Sequence, residues 1–289
     1  AFEQMTNGNV FVGILIGLIA AFCYNKFSET ELPVALSFFS GKRLVPIMTA
    51  FFCTFLAIVL LFVWPPVFNA IVTFGKWIVG MGPFGALLYG FFNRLLIPTG
   101  LHHALNNVFW FDTAGINDIG KFQSGKDAVK GITGRYQAGF FPVMMFGIPA
   151  AALAMYHTAK SSQKKQVYAW FLASSISAFF VGVTEPIEFA FMFVAPVLFV
   201  IHAALTGLSL FIAAIFHWTA GFSFSAGLID FVLSLVNPVS NKPWMLLVQG
   251  IIFFILYYAI FRFVIQVFNL NTIGRGDNAV SYTHLTLPT

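Results

Sequence analysis

Val183-Thr184-Glu185-Pro186-Ile187-Glu188-Phe189 places two carboxylates three residues apart inside a long apolar stretch. No Lys or Arg occurs from Gln166 to Asn241, so no cation close in sequence neutralises them. An acidic side chain at the centre of a bilayer costs roughly 2.5–3.5 kcal/mol on insertion scales. Two of them beside a helix-disrupting proline mark a segment that is used. Proline is favoured in the first turn of a helix, where its missing N–H costs nothing. A half-helix therefore starts at Thr184-Glu185-Pro186, with Glu185 at its mouth and Glu188 about one turn on.

The surrounding composition fixes the class. The chain has 289 residues, of which 59% are hydrophobic and 9% charged, and its mean hydropathy is +0.86. A soluble domain carries about 25% charged residues. This chain lacks the polar material to cover a soluble surface, so we read it as all-α, a polytopic α-helical membrane protein. A porin-type barrel would alternate apolar and polar residues. Here the apolar runs are continuous, as in 48–64, 190–205 and 244–260. The net charge of +5 sits in connections such as Lys42-Arg43 and Lys160, Lys164 and Lys165, which mark the cytoplasmic side. It does not point to nucleic acid. Cys23 and Cys53 lack a C-x-x-C partner or metal-type spacing and read as packing residues. Residues 1–10 show no secretory signal pattern. The chain opens without Met and enters an apolar segment within ten residues, as expected of a fragment of a longer protein. The last residues, SYTHLTLPT (281–289), match nothing before them and read as a cloning or sequencing scar.

Outward from the opening motif, the chain alternates spans and breaks. Residues 10–24 form a first span with Gly13 and Gly17 spaced for close helix packing. A polar connection with Pro33 follows. Residues 44–64 form a full span ended by Pro65-Pro66, and 67–80 an interfacial or linking helix. The apolar piece 83–97 is broken at Pro98-Thr99-Gly100 and continues as the polar piece 100–111. That pattern reads as a discontinuous helix or re-entrant hairpin. Residues 112–137 are a polar loop, 138–156 a span carrying Pro142 and Pro149, and 167–183 another span. After the Thr-Glu-Pro interruption an apolar run resumes over 189–205, then 208–218, then the small, polar 220–227 and a last span over 244–268. The tally is about six full spans plus two broken segments. Trp64, Trp110, Trp218 and Trp244 fit an aromatic belt near span ends. Irregular backbone survives at membrane depth only where it lines a cavity, so the breaks at Pro98 and Pro186 point to the binding site.

The candidate residues follow. Glu185 has several acceptor positions for paired hydroxyls, against the plainer role of a carboxylate bonded to neighbouring backbone. Arg94, the only Lys or Arg between Lys76 and Lys121, is a partner for Glu185 or Glu188, a donor to a ligand, or an interfacial snorkelling residue. His102 and His103 are adjacent, so at most one faces a ligand. His202 and His217 are isolated in sequence and read as satisfied structural residues. No cluster has metal spacing, and neither a phosphate loop nor a G-x-S-x-G elbow occurs. The 38 Phe residues read almost entirely as packing and lipid-facing groups.

Four stretches carry a family resemblance: NRLLIPTGLHHALN (93–106), GFFPVMMFGIPAAALAMY (139–156), GVTEPIEF (182–189) and AGFSFSAGLID (220–230). They resemble the membrane EIIC domain of the glucose superfamily of the phosphoenolpyruvate-dependent sugar phosphotransferase system. The Pro-Thr-Gly-Leu-His form, with GINDIG (115–120) after it, is most similar to the N-acetylglucosamine-specific members. The resemblance covers nearly all of 10–275. It implies the EIIC fold with two re-entrant hairpin-like segments in the bacterial cytoplasmic (inner) membrane, and a homodimer of ten-span protomers. Residues 1–80 then belong to the dimerisation half plus a linking helix, and 81–275 to a transport domain that carries sugar by an elevator-type movement. The tail is 276–289. The chain departs from the pattern at both ends. The first spans are missing, and so is the EIIB domain with its phosphorylated cysteine, so the chain alone does not phosphorylate sugar. By the resemblance, Arg94, His102, Thr184 and Glu185 contact the sugar, with His103, Asn106 and Glu188 as further candidates. Glu185 or His102 orients the 6-hydroxyl toward the phosphocysteine, a role worth roughly 10²–10⁴-fold. The implied partners are the sugar, phosphorylated EIIB with upstream EIIA and HPr, a second copy and the bilayer; no cofactor, metal or nucleic acid is implied. The alternative is a proton-coupled secondary sugar transporter using Glu185 and Glu188. A third reading is a membrane interaction fragment that transports nothing.

Overall fold

The computed structural model describes residues 10–111 and 116–275. The expectations for Gly115, the opening residues and the tail lie outside the described residues. Helices account for the architecture. Among the described residues the only bridge is an isolated antiparallel one between Thr219 and Asn241.

Helix α1 (Val10–Phe27) is followed by a connection with short 3₁₀ turns and then α2 (Leu44–Val79). The expectation that Pro65-Pro66 ends the second span is corrected, because α2 runs through both prolines for 36 residues. Each proline removes one backbone bond. Unwinding the chain in hydrocarbon would orphan several N–H and C=O groups at several kcal/mol each, so continuing the helix is the cheaper solution. Trp64 accordingly lies inside α2, only 2% exposed, and not at a span end.

Helix α3 (Pro83–Leu95) begins with its proline in the first turn. A 3₁₀ turn over Ile97–Thr99 closes on Gly100 at φ +70°, and α4 (His102–Phe109) follows. The expected break at Pro98-Thr99-Gly100 is present, and α4, at eight residues, is far too short to cross. Helix α5 (Asp118–Ser124) lies in the polar loop. Helix α6 (Arg135–Thr158) holds both Pro142 and Pro149 across a π-helical turn at Val143–Gly147, a local change that re-aims backbone bonds around proline. Helix α7 (Ser161–Val181) ends on Gly182 at φ +80°, whose N–H bonds back to Ala178 and Ser177.

Helix α8 (Glu185–Met192) starts where expected, with Pro186 in its first turn. The expectation of an unbroken run over 189–205 is corrected. Pro196 starts a new helix, α9 (Pro196–Ile215), and holds Ala195 out of the helical region at φ −139°, ψ 69°. Helix α9 also absorbs most of the segment expected at 208–218. Helices α10 (Leu228–Leu235) and α11 (Met245–Val267) complete the chain. Among the described residues four helical stretches are long and apolar enough to cross a membrane: Gly41–Val79, Arg135–Thr158, Pro196–Ile215 and Met245–Val267. The span expected at 167–183 is not among them, because the first turns of α7 carry Lys164 and Lys165.

Packing separates a periphery from a centre. In its most apolar stretch α2 is only 11% buried, whereas α6 is 83% buried. The described residues therefore leave most of the surface of α2 uncovered, and α6 is the central post. Helix α11 packs against α6, and α3 lies along α9. At the α3–α9 crossing, a Cβ on Gly90 would stand 3.1 Å from the Gly207 Cα, so two glycines bring the backbones together. Buried apolar residues form two clusters, one around Phe191, Phe253, Tyr257 and Phe261 and one around Tyr89, Phe109, Phe140 and Phe222.

Candidate functional site

The two broken segments meet. Residues from α3 and α4, from Gly182–Glu185, from α6 and from the 220–227 loop enclose a cavity of about 490 Å³. Arg94, His102, His103, Asn106, Thr184 and Glu185 all line it. The expectation that at most one of the paired histidines faces this space is corrected. Both line it, with ring centroids 4.0 Å apart, because the cavity wraps around the first turn of α4. His102 Nδ1 is buried without a hydrogen-bond partner.

The alternatives left open for Arg94 resolve. Its guanidinium is 4% exposed and donates from Nη1 to Glu188 Oε1 at 3.0 Å, so it pairs with Glu188 and not with Glu185. It also lies over the Phe140 ring, 5.0 Å from the centroid. Glu188 is fully buried behind the wall, whereas Glu185 is exposed on it. Asn106 uses its oxygen to accept from Tyr89 OH (2.8 Å) and Asn93 Nδ2 (2.5 Å), which leaves its amide N–H groups to offer. Thr184 is buried, and its carbonyl accepts from the Ile187 and Glu188 N–H groups, which starts α8.

His202 and His217 have the structural partners expected of them. His202 contacts Glu188 and Tyr257, and His217 Nδ1 lies 3.1 Å from the Gly131 carbonyl.

The opposite rim comes from residues the sequence reading quoted without assigning. Phe140 and Met144 come from α6, Phe224 and Ser225 from the 220–227 loop. Asp230 shapes this loop by accepting from the Ser223 N–H (2.9 Å) and the Ser225 N–H (3.3 Å). Ser225 Oγ then donates to the Gly182 carbonyl at 2.9 Å, which joins the loop to the segment that presents Thr184 and Glu185. A Cβ on Gly182 would stand 2.7 Å from Ser225 Oγ and 2.9 Å from the Ala226 and Gly227 nitrogens, at a backbone angle that suits glycine alone. Gly182→Ala is therefore expected to push the two loops apart and weaken ligand binding about tenfold while leaving the helices inserted. A binding isotherm with unchanged affinity would show that the loop junction does not set the site.

These long motifs sit together on one cavity, and the family assignment follows from them. The family model for the phosphotransferase system, EIIC, matches residues 1–207. The chain belongs to the PTS EIIC family. It is 50% identical over 281 residues to the PTS system N-acetylglucosamine-specific EIICBA component of Escherichia coli (strain K12), covering 94% of this chain and 43% of the relative. It is 49% identical over 282 residues to the N-acetylglucosamine-specific EIICB component of Bacillus subtilis (strain 168), covering 96% and 61%. It is 42% identical over 287 residues to the glucose-specific EIICBA component of Staphylococcus carnosus (strain TM300), covering 96% and 42%. The chain thus spans about half the length of these EIIC relatives. As an EIIC chain it is an all-α protein of the cytoplasmic membrane, in keeping with its four membrane-length apolar helices.

Proposed function

We propose that this EIIC chain carries N-acetylglucosamine, or a glucose-type sugar, across the cytoplasmic membrane and presents its 6-hydroxyl to phosphorylated EIIB. The observation that supports this reading best is an exposed carboxylate, Glu185, on the wall of a cavity of about 490 Å³. That size falls within the range of about 300–1,000 Å³ usual for small-molecule sites. A carboxylate accepts only, so it suits a ligand that is dense in hydroxyl donors. His102 and the backbone around Thr184 supply neighbouring polar groups, and the exposed rings of Phe189 and Phe224 supply apolar surface for the C–H faces of a sugar ring.

In the transfer, the phosphorus–sulfur bond of the EIIB phosphocysteine breaks and a phosphorus–O6 bond forms. Glu185 or His102 takes the O6 proton, and Arg94 contributes positive charge beside the ligand. The sulfur is EIIB's, so this chain contributes binding and orientation to the phosphotransfer. We assign residues 81–275 to the sugar-carrying part and 1–80 to a scaffold that pairs with a second copy. The proton-coupled alternative would need both carboxylates in exchange with the cavity. Glu188 is held by Arg94 and His202 with its side chain enclosed, which favours the phosphotransferase reading.

The test uses full-length protein in vesicles supplied with the soluble relay proteins, phosphoenolpyruvate and labelled N-acetylglucosamine. The expected product inside is sugar phosphate, formed with the proton gradient collapsed. Recovery of only free sugar, lost when the gradient is removed, would establish the symport reading instead.

A further inference from the structure

Behind the cavity wall a single line of polar contacts crosses four helices. It begins with Arg94 on α3, whose Nη1 donates to Glu188 Oε1 on α8 at 3.0 Å. The same oxygen lies 3.2 Å from His202 Nε2 on α9. A carboxylate only accepts, so Nε2 carries the imidazole proton and Nδ1 is left as the acceptor. Tyr257 OH on α11 lies 2.9 Å from that Nδ1 and donates to it. Every hydrogen along the line points toward Glu188 or toward the ring that serves it. Tyr257 and His202 are both fully buried, and a second bond from Thr206 Oγ1 to the His202 carbonyl (2.9 Å) fixes the turn of α9 that carries the ring.

The line is also incomplete in one place. Arg94 Nε, Arg94 Nη2 and Glu188 Oε2 are buried and have no hydrogen-bond partner among the described residues. Removing a charge from water is costly unless the remaining donors and acceptors are met. Stability alone would be served as well by apolar residues here. The pair instead stands at the cavity wall with unmet donors on the arginine, while Glu188 contributes nothing to the lining.

We propose that Glu188, His202 and Tyr257 are positioning residues that fix the Arg94 guanidinium for an oxygen-rich ligand, and that none of the three touches the ligand. The proposal rests on the sugar-binding reading of the cavity. It assigns the two carboxylates of the opening motif to opposite sides of one wall. Glu185 meets the sugar, and Glu188 holds the arginine that meets it. It also explains why the break between α8 and α9 is short. Glu188 and His202 must converge on one point from two helices, and the turn at Ala195-Pro196 folds α9 back beside α8.

The experiment is a double-mutant cycle on the full-length protein, read as equilibrium binding of labelled N-acetylglucosamine. Glu188→Gln is expected to weaken binding about tenfold, and Tyr257→Phe, which removes one hydroxyl, about threefold. In an Arg94→Gln background, Glu188→Gln is expected to add less than about twofold, because a residue acting through Arg94 has nothing left to act on. A merely structural role would lower thermal stability in both backgrounds and would leave the two losses of affinity additive. Additive losses, or wild-type affinity for both Glu188→Gln and Tyr257→Phe, would overturn the proposal. Failure of the unmutated protein to bind the sugar would instead remove the sugar reading itself, and the positioning proposal with it.

Discussion

Glu185→Gln is expected to abolish detectable sugar binding while the protein still inserts and folds. The carboxylate is exposed on the cavity wall, so the change removes little packing. A hydrogen bond to a charged group contributes about 1.5–3 kcal/mol. A carboxylate gripping two hydroxyls therefore accounts for about 3–6 kcal/mol, or roughly 10²–10⁴-fold in affinity. Glutamine keeps one carbonyl oxygen and replaces the other by an NH₂ group, which turns one acceptor into a donor facing a hydroxyl. Insertion moves the other way, because removing a charge from membrane depth relieves a cost of roughly 2.5–3.5 kcal/mol. The check pairs a binding isotherm with the yield of protein recovered from membranes. Wild-type affinity in Glu185→Gln would remove Glu185 from the site. Loss of the protein from the membrane would mean that its role is structural.

The breaks that build this site were legible because proline there is joined by glycine. Pro98 is followed by Gly100 at φ +70°, and Pro186 is preceded by Gly182 at φ +80°. At the second break the left-handed Gly182 ends one helix and Pro186 opens the next, whereas at the first Pro98 sits in a short 3₁₀ turn that Gly100 closes. Pro65-Pro66 looked like the same signal but has no glycine beside it, and α2 passes through. Pro196 gives no hydropathy signal because the residues around it are uniformly apolar, yet it holds Ala195 out of the helical region and opens α9. Hydropathy reports the solvent and says nothing of backbone geometry inside it.

The site divided in the same way. All the residues on its wall except Trp110 sit in the four stretches 93–106, 139–156, 182–189 and 220–230, so their identity was readable. Their pairing was not. Arg94 and Glu188 are 94 positions apart, and His202 and Tyr257 are 55 apart. Which carboxylate met the arginine depended on the rotation of α8 against α3, and three residues of separation put Glu185 and Glu188 within one turn of each other. Sequence spacing can place two groups on a helix, but only packing decides which of them is turned inward.

Asp118→Asn is the second large effect, and it concerns the loop that carries the rim of the cavity. Asp118 is 4% exposed, and burial pushes its carboxyl up from the ordinary value while N–H groups pull it down. Oδ1 accepts from the Gly134 N–H at 2.8 Å, and Oδ2 accepts from Gln137 Nε2 at 2.9 Å. Gln137 is fully buried, and its Oε1 accepts from the Phe222 N–H at 3.0 Å. The orientation of the glutamine amide is thus set at both ends. Asparagine offers one oxygen and one NH₂ group. If the oxygen keeps Gly134, the NH₂ meets Gln137 Nε2, donor against donor. If Gln137 turns over to relieve that clash, its NH₂ meets the Phe222 N–H instead. Either arrangement leaves buried donors unmet, at about 1–3 kcal/mol each. The midpoint of thermal unfolding in detergent is expected to fall by about 5 °C or more. Amide exchange should quicken at Gly134 and Phe222, the two N–H groups at the ends of the line. Phe222 lies two residues before Phe224 on the cavity rim, so sugar affinity should fall in the same variant, although Asp118 does not line the cavity. An unchanged unfolding midpoint with protected amides at both positions would show that the loop is held elsewhere, and that the polarity of this line does not matter.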